Sequence, residues 1–303
     1  MSVIEIDQIS KSFGKMAALD KVKFEVEQGE VFCVLGPDGA GKTTLLRILA
    51  GVMTPTAGNL TIFGRDIVED LDAAKPLTGY LSQRFSLYPD LTVNENIDFY
   101  ARLFKIGHQE GEQRKKRLLE FSRMGPYADR RAKFLSGGMK QKLALSCALI
   151  HTPKLLILDE PTTGVDPISR REFWKILYDL ISEGLTIIFA TPYMDEAERA
   201  SRVALLYKGE VINCDSPDKL RGQFAFDLAE LITDDNRSAR QILIKNYGND
   251  NVVFFGDKLH LKLTKFGEEE NNIKSSLQQA GIAIVSLEQI VPGMEDVFID
   301  AIS

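Results

Sequence analysis

Two kinds of apolar pattern run along this chain. Uninterrupted runs, at Val31-Phe32-Cys33-Val34-Leu35, Leu155-Leu156-Ile157-Leu158 and 185–190, read as buried strands. Val3-Ile4-Glu5-Ile6 and Val22-Lys23-Phe24-Glu25-Val26 instead alternate, as half-exposed antiparallel strands do. Helical spacing appears at Leu45-Leu46-Arg47-Ile48-Leu49, at Leu143, Cys147 and Ile150, and through a long stretch that begins at Thr92. The charged segment 109–119 within that stretch reads as a solvated helix face.

The pattern changes after Cys214-Asp215-Ser216-Pro217 and the Arg221-Gly222 break. A strand (224–233), a helix (237–247), two paired strands (252–255 and 259–263), a helix (268–280) and a strand (282–290) follow. This β-α-β-β-α-β order predicts a small α+β domain of ferredoxin-like type, a fold compatible with many roles. Two domains are therefore expected, 1–220 and 223–303.

The first buried run leads into Gly36-Pro37-Asp38-Gly39-Ala40-Gly41-Lys42-Thr43, a full G-x-x-x-x-G-K-[ST] phosphate loop, with Thr44 opening the helix behind it. Glycines let backbone N–H groups turn inward around the α- and β-phosphates, Lys42 reaches the β- and γ-phosphates, and Thr43 offers a hydroxyl to Mg²⁺ at a helix N-terminus. ATP and Mg²⁺ are thus the expected cofactors. The second buried run ends in Asp159-Glu160, which places Asp159 to help hold Mg²⁺ and Glu160 as candidate general base toward the attacking water. Between the two lies Leu135-Ser136-Gly137-Gly138-Met139-Lys140-Gln141, where Ser136 suits an N-cap and the N–H groups behind it form a second anion cradle.

One ATP does not need two cradles from one chain. In the order phosphate loop, L-S-G-G, L-L-I-L-D-E, the chain resembles the ATPase subunit of an ATP-binding cassette (ABC) transporter. The resemblance implies an α/β P-loop NTPase cassette, a RecA-like core with antiparallel β and helical subdomains. It also implies a head-to-tail dimer in which Ser136, Gly137 and Gly138 close on the nucleotide of the facing subunit. Gln83 is similar to the family glutamine that approaches Mg²⁺ and the attacking water, Asp166 to the loop coupling the two sites, and Phe13 to the aromatic that stacks on adenine. Asp166 alternatively caps the next helix, and Phe13 alternatively belongs to the core. Phe85, Leu87 and Tyr88 are contact candidates for a membrane permease. The ending Pro292-Gly293-Met294-Glu295-Asp296-Val297-Phe298 resembles ATPases that serve ABC-2-type exporters.

Two residues depart from the family near the γ-phosphate. Pro192, in Thr191-Pro192-Tyr193-Met194, stands where the family usually has histidine, and Thr191 and Pro192 are read as the cap and first residue of a helix. His108, His151 and His260 are remote in sequence and read as exposed or packing residues. Asp38 replaces the more usual Asn or Ser, and its carboxylate repels like charge unless protonated or paired. Both departures fall in the chain's own half-site, so a heterodimer with a histidine-bearing ATPase is favoured, a homodimer being the alternative. An ATP-gated regulatory module and a soluble non-transport ABC ATPase are the rival functions.

Composition adds limits. The chain has 303 residues and a net charge of -6, which points to no nucleic-acid surface. No apolar run approaches the ~18 residues of a membrane span and no leader pattern opens the chain, so a cytoplasmic location is expected, peripheral on the membrane through a partner. Cys33, Cys147 and Cys214 lack metal spacing and read as reduced core thiols.

Overall fold

The computed structural model describes residues 2–302 apart from Val68, Leu71, Ala73 and Phe85. The chain divides into two compact units, Met1–Pro217 and Asp218–Ser303. Strands β1 (Ser2–Phe13) and β2 (Met16–Glu27) open the first unit as an antiparallel hairpin, longer at both ends than the alternation alone marks. Ile4, Ile6, Val22 and Val26 are buried while Glu5, Lys23 and Glu25 are exposed, so one face of this sheet lies on the core. The turn between the strands uses Gly14 at φ 59.

All of β3 (Val31–Leu35) is buried. It leads into α1 (Lys42–Leu49), after which β4 (Ala57–Ile62) and β5 (Arg65–Asp66) complete the first sheet in the order β2-β1-β4-β5. β6 (Thr78–Leu81) then begins the far edge of a second sheet. Three helices follow: α2 (Val93–Leu103), α3 (His108–Phe121) and α4 (Gly137–Leu149). Thr92 and Glu95 cap α2 reciprocally, which explains the sharp helix start. These helices have their own core, built from Leu87, Val93, Ile97, Met124, Leu143 and Cys147. Buried Asn96 fixes the preceding loop by accepting from Tyr88 N at 3.0 Å and donating to Thr92 O at 2.9 Å.

β7 (Leu155–Asp159), α5 (Pro167–Ser182), β8 (Thr186–Thr191), α6 (Met194–Ala197), β9 (Arg202–Tyr207) and β10 (Glu210–Asp215) complete the second sheet. Its order is β10-β9-β3-β8-β7-β6, parallel except for β10. Strands covered on both faces need apolar residues at every position, hence the uninterrupted runs. β3 and β7 are separated by β8, and their C-terminal ends open on one edge, where such sheets leave a binding crevice. Among the described residues no helix is long and apolar enough to cross a membrane.

Helix α7 (Pro217–Gly222) includes Arg221 and Gly222, so the expected break there is helical; Pro217 stands at its start, where a missing N–H costs nothing. In the second unit β11 (Asp227–Thr233), α8 (Asn236–Tyr247), β12 (Val252–Phe255), β13 (Lys258–Leu263), α9 (Phe266–Gln279) and β14 (Ile284–Ile290) form an antiparallel sheet of order β12-β13-β11-β14. Connection order and strand order are those of a ferredoxin-like unit. Leu259, Leu261 and Leu263 pack with Leu243, Ile273 and Leu277 of α8 and α9. The alternate residues His260 and Lys262 meet a final helix, α10 (Met294–Ile302), through Asp296 (2.7 Å) and Asp300 (2.6 Å).

Candidate nucleotide site

The phosphate loop joins β3 to α1. Gly41 precedes α1 at φ 110, and no side chain caps the helix, so its first N–H groups face the loop. The loop's close approach to its surroundings excludes larger residues. A Cβ on Gly36 would lie 2.2 Å from Leu206 O, and one on Gly41 2.5 Å from Ala18 O. Lys42 is 4 % exposed; its Nζ donates to Gly36 O (2.9 Å) and Pro37 O (3.1 Å) and lies 3.3 Å from Glu160 Oε1. Gly39 sits at the crest at φ 79 and Ala40 is buried. Thr44 is half-buried on α1. Asp38 is exposed and its side chain has no hydrogen bond or ion pair among the described residues.

Thr43 Oγ1 donates to Asp159 Oδ1 at 3.0 Å, joining α1 to the end of β7. Asp159 is fully buried and burial raises its pKa, with the hydroxyl of Thr43 pulling the other way. Its Oδ2 has no partner among the described residues. A buried, unpartnered carboxylate oxygen beside a hydroxyl is an oxygen donor set that fits a hard divalent cation. Tyr80 on β6 flanks the same carboxylate, its pKa raised to about 12 by burial and then by Asp159.

Glu160 follows directly at φ 48, a left-handed conformation rare for a non-glycine residue. Its backbone N donates to Ala190 O at 3.0 Å, and its side chain reaches Lys42 of the loop. Oε2 accepts from Gln83 Nε2 at 2.8 Å and from Thr163 Oγ1 at 3.3 Å. Five side chains from three segments, Lys42 and Thr43, Gln83, and Asp159 and Glu160, therefore converge.

The remaining expected residues lie elsewhere or do other work. Ser136 caps α4 by accepting from Met139 N at 3.3 Å. A Cβ on Gly137 would approach Gly164 O (3.4 Å), and one on Gly138 would meet Ser169 and Val165, which places both glycines against the Asp166 loop. Asp166 caps α5, accepting from Ile168 N (3.1 Å) and Ser169 N (3.0 Å), and those backbone bonds hold its pKa low. Phe13 is 45 % exposed at the end of β1, with Lys11 Nζ 5.4 Å from its ring, so it is not core. Leu87 is buried in the helical core and unavailable to a partner, because the loop it stands on turns inward beside Asn96; Tyr88 is exposed, and Phe85 lies outside the described residues.

The expected helix at Thr191 starts later. Thr191 ends β8, Pro192 precedes the helix, and α6 begins at Met194. The hydroxyl of Thr191 instead accepts from Tyr193 N (3.1 Å) and donates to Glu196 Oε2 (2.6 Å). None of the three histidines replaces the missing one: His108 is exposed, His151 stacks on Phe104 at 3.7 Å, and His260 is buried in the second unit. Thr162, Thr163, Arg170 and Glu196 were not marked by the sequence motifs. The pair Thr162-Thr163, separated from Asp159-Glu160 only by Pro161, is a local signal for the first two.

The model of the family described as "ABC transporter" matches residues 19–163. The chain is 40 % identical over 226 residues to the probable multidrug ABC transporter ATP-binding protein YbhF of Escherichia coli (strain K12), covering 75 % of this chain and 39 % of that protein, so it spans about two fifths of that relative's length. It is 35 % identical over 302 residues to the Nod factor export ATP-binding protein I of Rhizobium etli, covering 99 % of this chain and 93 % of that one. Its fold matches the dimeric, ADP- and Pi-bound ATP-binding cassette MJ0796 with a TM-score of 0.65 and 26 % identity, over 70 % of this chain and 98 % of that one. A phosphate loop, a strand-end Asp-Glu pair and a near full-length relative thus agree, and the chain belongs to the ABC transporter family as an ATP-binding cassette.

Proposed function

We propose that this chain drives export by a separate membrane permease, binding MgATP at an interface with a second ATPase subunit. The observation that carries the reading is the division of the site. Lys42, Thr43, Gln83, Asp159 and Glu160 converge at the ends of β3 and β7, while the Ser136 cradle contacts the Asp166 loop and leaves them. A cradle with no phosphate to hold in its own chain suits a facing subunit's nucleotide. Export is favoured by the names of the relatives, and attachment to the cytoplasmic face follows from the permease.

In this reading backbone N–H groups from Gly39 to Thr43 hold the α- and β-phosphates, and Phe13 offers its exposed face to adenine. Lys42 exchanges its contacts with Gly36 O, Pro37 O and Glu160 for the β- and γ-phosphate oxygens. Thr43, Asp159 and Gln83 would hold Mg²⁺, which supplies charge neutralisation on the phosphates when bound. Glu160 accepts a proton from the water that attacks the γ-phosphorus, and Gln83 orients that carboxylate. The bond from the γ-phosphorus to the bridging oxygen breaks, and ADP leaves with that oxygen.

Pro192 can donate no hydrogen bond to the γ-phosphate and Asp38 places negative charge on the loop, so this chain's own site is the weaker of two, and the partner is a different ATPase. The test is steady-state ATP hydrolysis and substrate efflux in vesicles, with and without the permease and the second subunit. Hydrolysis stimulated by the assembly, with efflux, supports the reading. ATP-dependent assembly with negligible hydrolysis at both sites would favour a regulatory module instead.

A further inference from the structure

Glu196, on α6, is 1 % exposed, and nothing in the chemistry above uses it. Its Oε1 accepts a hydrogen bond from the Thr162 hydroxyl, and its Oε2 accepts one from the Thr191 hydroxyl at 2.6 Å. Arg170 Nε lies 3.4 Å from Oε1, while the same guanidinium reaches Asp195 Oδ2 at 3.3 Å and stacks over the Tyr193 ring at 4.6 Å. Thr162 follows Glu160 by two residues, Thr191 ends β8, and Arg170 lies in the first turn of α5, which Asp166 caps. One buried carboxylate joins three segments around the candidate base.

That junction matters because Glu160 holds φ 48. A non-glycine residue stays in this region only where its surroundings over-determine it. Glu160 N is tied to Ala190 O, and Glu160 O accepts from Thr163 N at 3.2 Å. Thr162, itself 1 % exposed, anchors the far side of the turn, and its anchor is Glu196. Buried networks of this kind fix a geometry when every member is satisfied. Here both carboxylate oxygens have hydroxyl donors, and Arg170 Nε faces the charge as an ion pair at 3.4 Å without a hydrogen bond of its own among the described residues.

We infer that Glu196 is a positioning residue for hydrolysis. Through Thr162 and Thr191 it clamps the strained Glu160 turn to the end of β8, and through Arg170 it links that turn to α5 and the Asp166 loop. The inference rests on Glu160 being the base.

The experiment is single-turnover hydrolysis by the concentrated full chain in excess over γ-³²P-labelled ATP, so that a second copy can lend its Ser136 cradle and this chain's own site is read even if slow. Binding of a fluorescent ATP analogue and thermal melting are measured in parallel. Glu196→Ala should slow hydrolysis by about 10²-fold, the scale of a small misplacement of a reacting group, with nucleotide Kd nearly unchanged. Glu196→Gln keeps an acceptor and gains a donor that a threonine hydroxyl can receive, and should recover most of the rate. Thr162→Val should slow hydrolysis as well, and the double variant with Glu196→Ala should lose little more than Glu196→Ala alone. A Glu196→Ala rate equal to wild type, or a fall of rate and affinity together with Thr162→Val silent, would overturn the inference. If Glu196→Ala does not fold, Thr162→Val at the wild-type rate overturns it. Glu160→Gln is run alongside: a wild-type rate there refutes the base itself, a separate failure.

Discussion

Gln83 Nε2 donates to Glu160 Oε2 at 2.8 Å, so the loop after β6 and the end of β7 share one hydrogen bond at the centre of the site. The bond fixes one carboxylate oxygen and leaves the other 3.3 Å from Lys42 Nζ. Glu160→Gln should leave ATP binding intact and slow hydrolysis by about a hundredfold or more, the usual scale for a lost general base. Gln83→Ala should give a smaller loss in the same direction, since the carboxylate remains but its orientation is freer. Single-turnover rates decide this; a Gln83→Ala loss larger than that of Glu160→Gln would exchange the two roles.

Lys42 should govern binding rather than chemistry. It is buried and held by two loop carbonyls, ready to face phosphate oxygens. Lys42→Ala should remove or severely weaken ATP binding in equilibrium dialysis. It should also leave Glu160 beside an apolar methyl, so the thermal midpoint is expected to fall, because a buried carboxylate loses its cation.

The signature can be tested without disturbing the fold at Ser136, and not at Gly138. A Cβ on Gly138 would sit 2.4 Å from Ser169 Cβ in the same chain, so substitution there shifts α5 as well as the proposed cradle. Ser136→Asp keeps an N-cap acceptor for Met139 N while placing a negative charge on the cradle proposed to face a phosphate. In a mixed assembly it should abolish most hydrolysis with little change in melting temperature, whereas Glu160→Gln in this chain should cost less of the total. The reverse ranking would remove the case for an asymmetric pair.

A pH dependence follows from His151. Its Nε2 lies 3.0 Å from Thr78 O, which can only accept, so Nε2 carries the proton and Nδ1, buried without a partner among the described residues, is bare. Burial lowers its pKa, the nearby Arg114 charge adding to the effect. The native state therefore binds its proton less readily than the unfolded chain. The stability this contributes is present above the ordinary histidine value of about 6.5 and is lost as pH falls from there through the native value. Urea unfolding between about pH 7.5 and 5 should show that loss. His151→Phe, which keeps the stack on Phe104, should flatten it.

Much of this molecule is local in origin. A phosphate loop must follow a buried strand and open a helix, so Gly36 to Thr43 could be read from eight neighbouring residues. Asp159 and Glu160 announce themselves at the end of an apolar run for the same reason. The β-α-β-β-α-β order of the second unit was equally legible, because each element carries its own period. α10 was not, since its burial depends on His260 and Lys262 turning to the side of the sheet away from α8 and α9.

Other features exist only once the sheet has closed. Placing β8 between β3 and β7 is a choice of topology that no single segment encodes, and it brings Thr191 beside the turn of Glu160. Leu87 looked free in a polar loop until Asn96, eight residues on from Tyr88, folded that loop inward. Thr191 looked like a cap, but the buried carboxylate of Glu196 claimed its hydroxyl and the helix began later. In each case a polar group that would be satisfied by water in an isolated peptide is buried by distant chain, and its partner is set by what must be satisfied there. Patterns of residue type record which groups need burial or charge; which groups then meet is decided by packing.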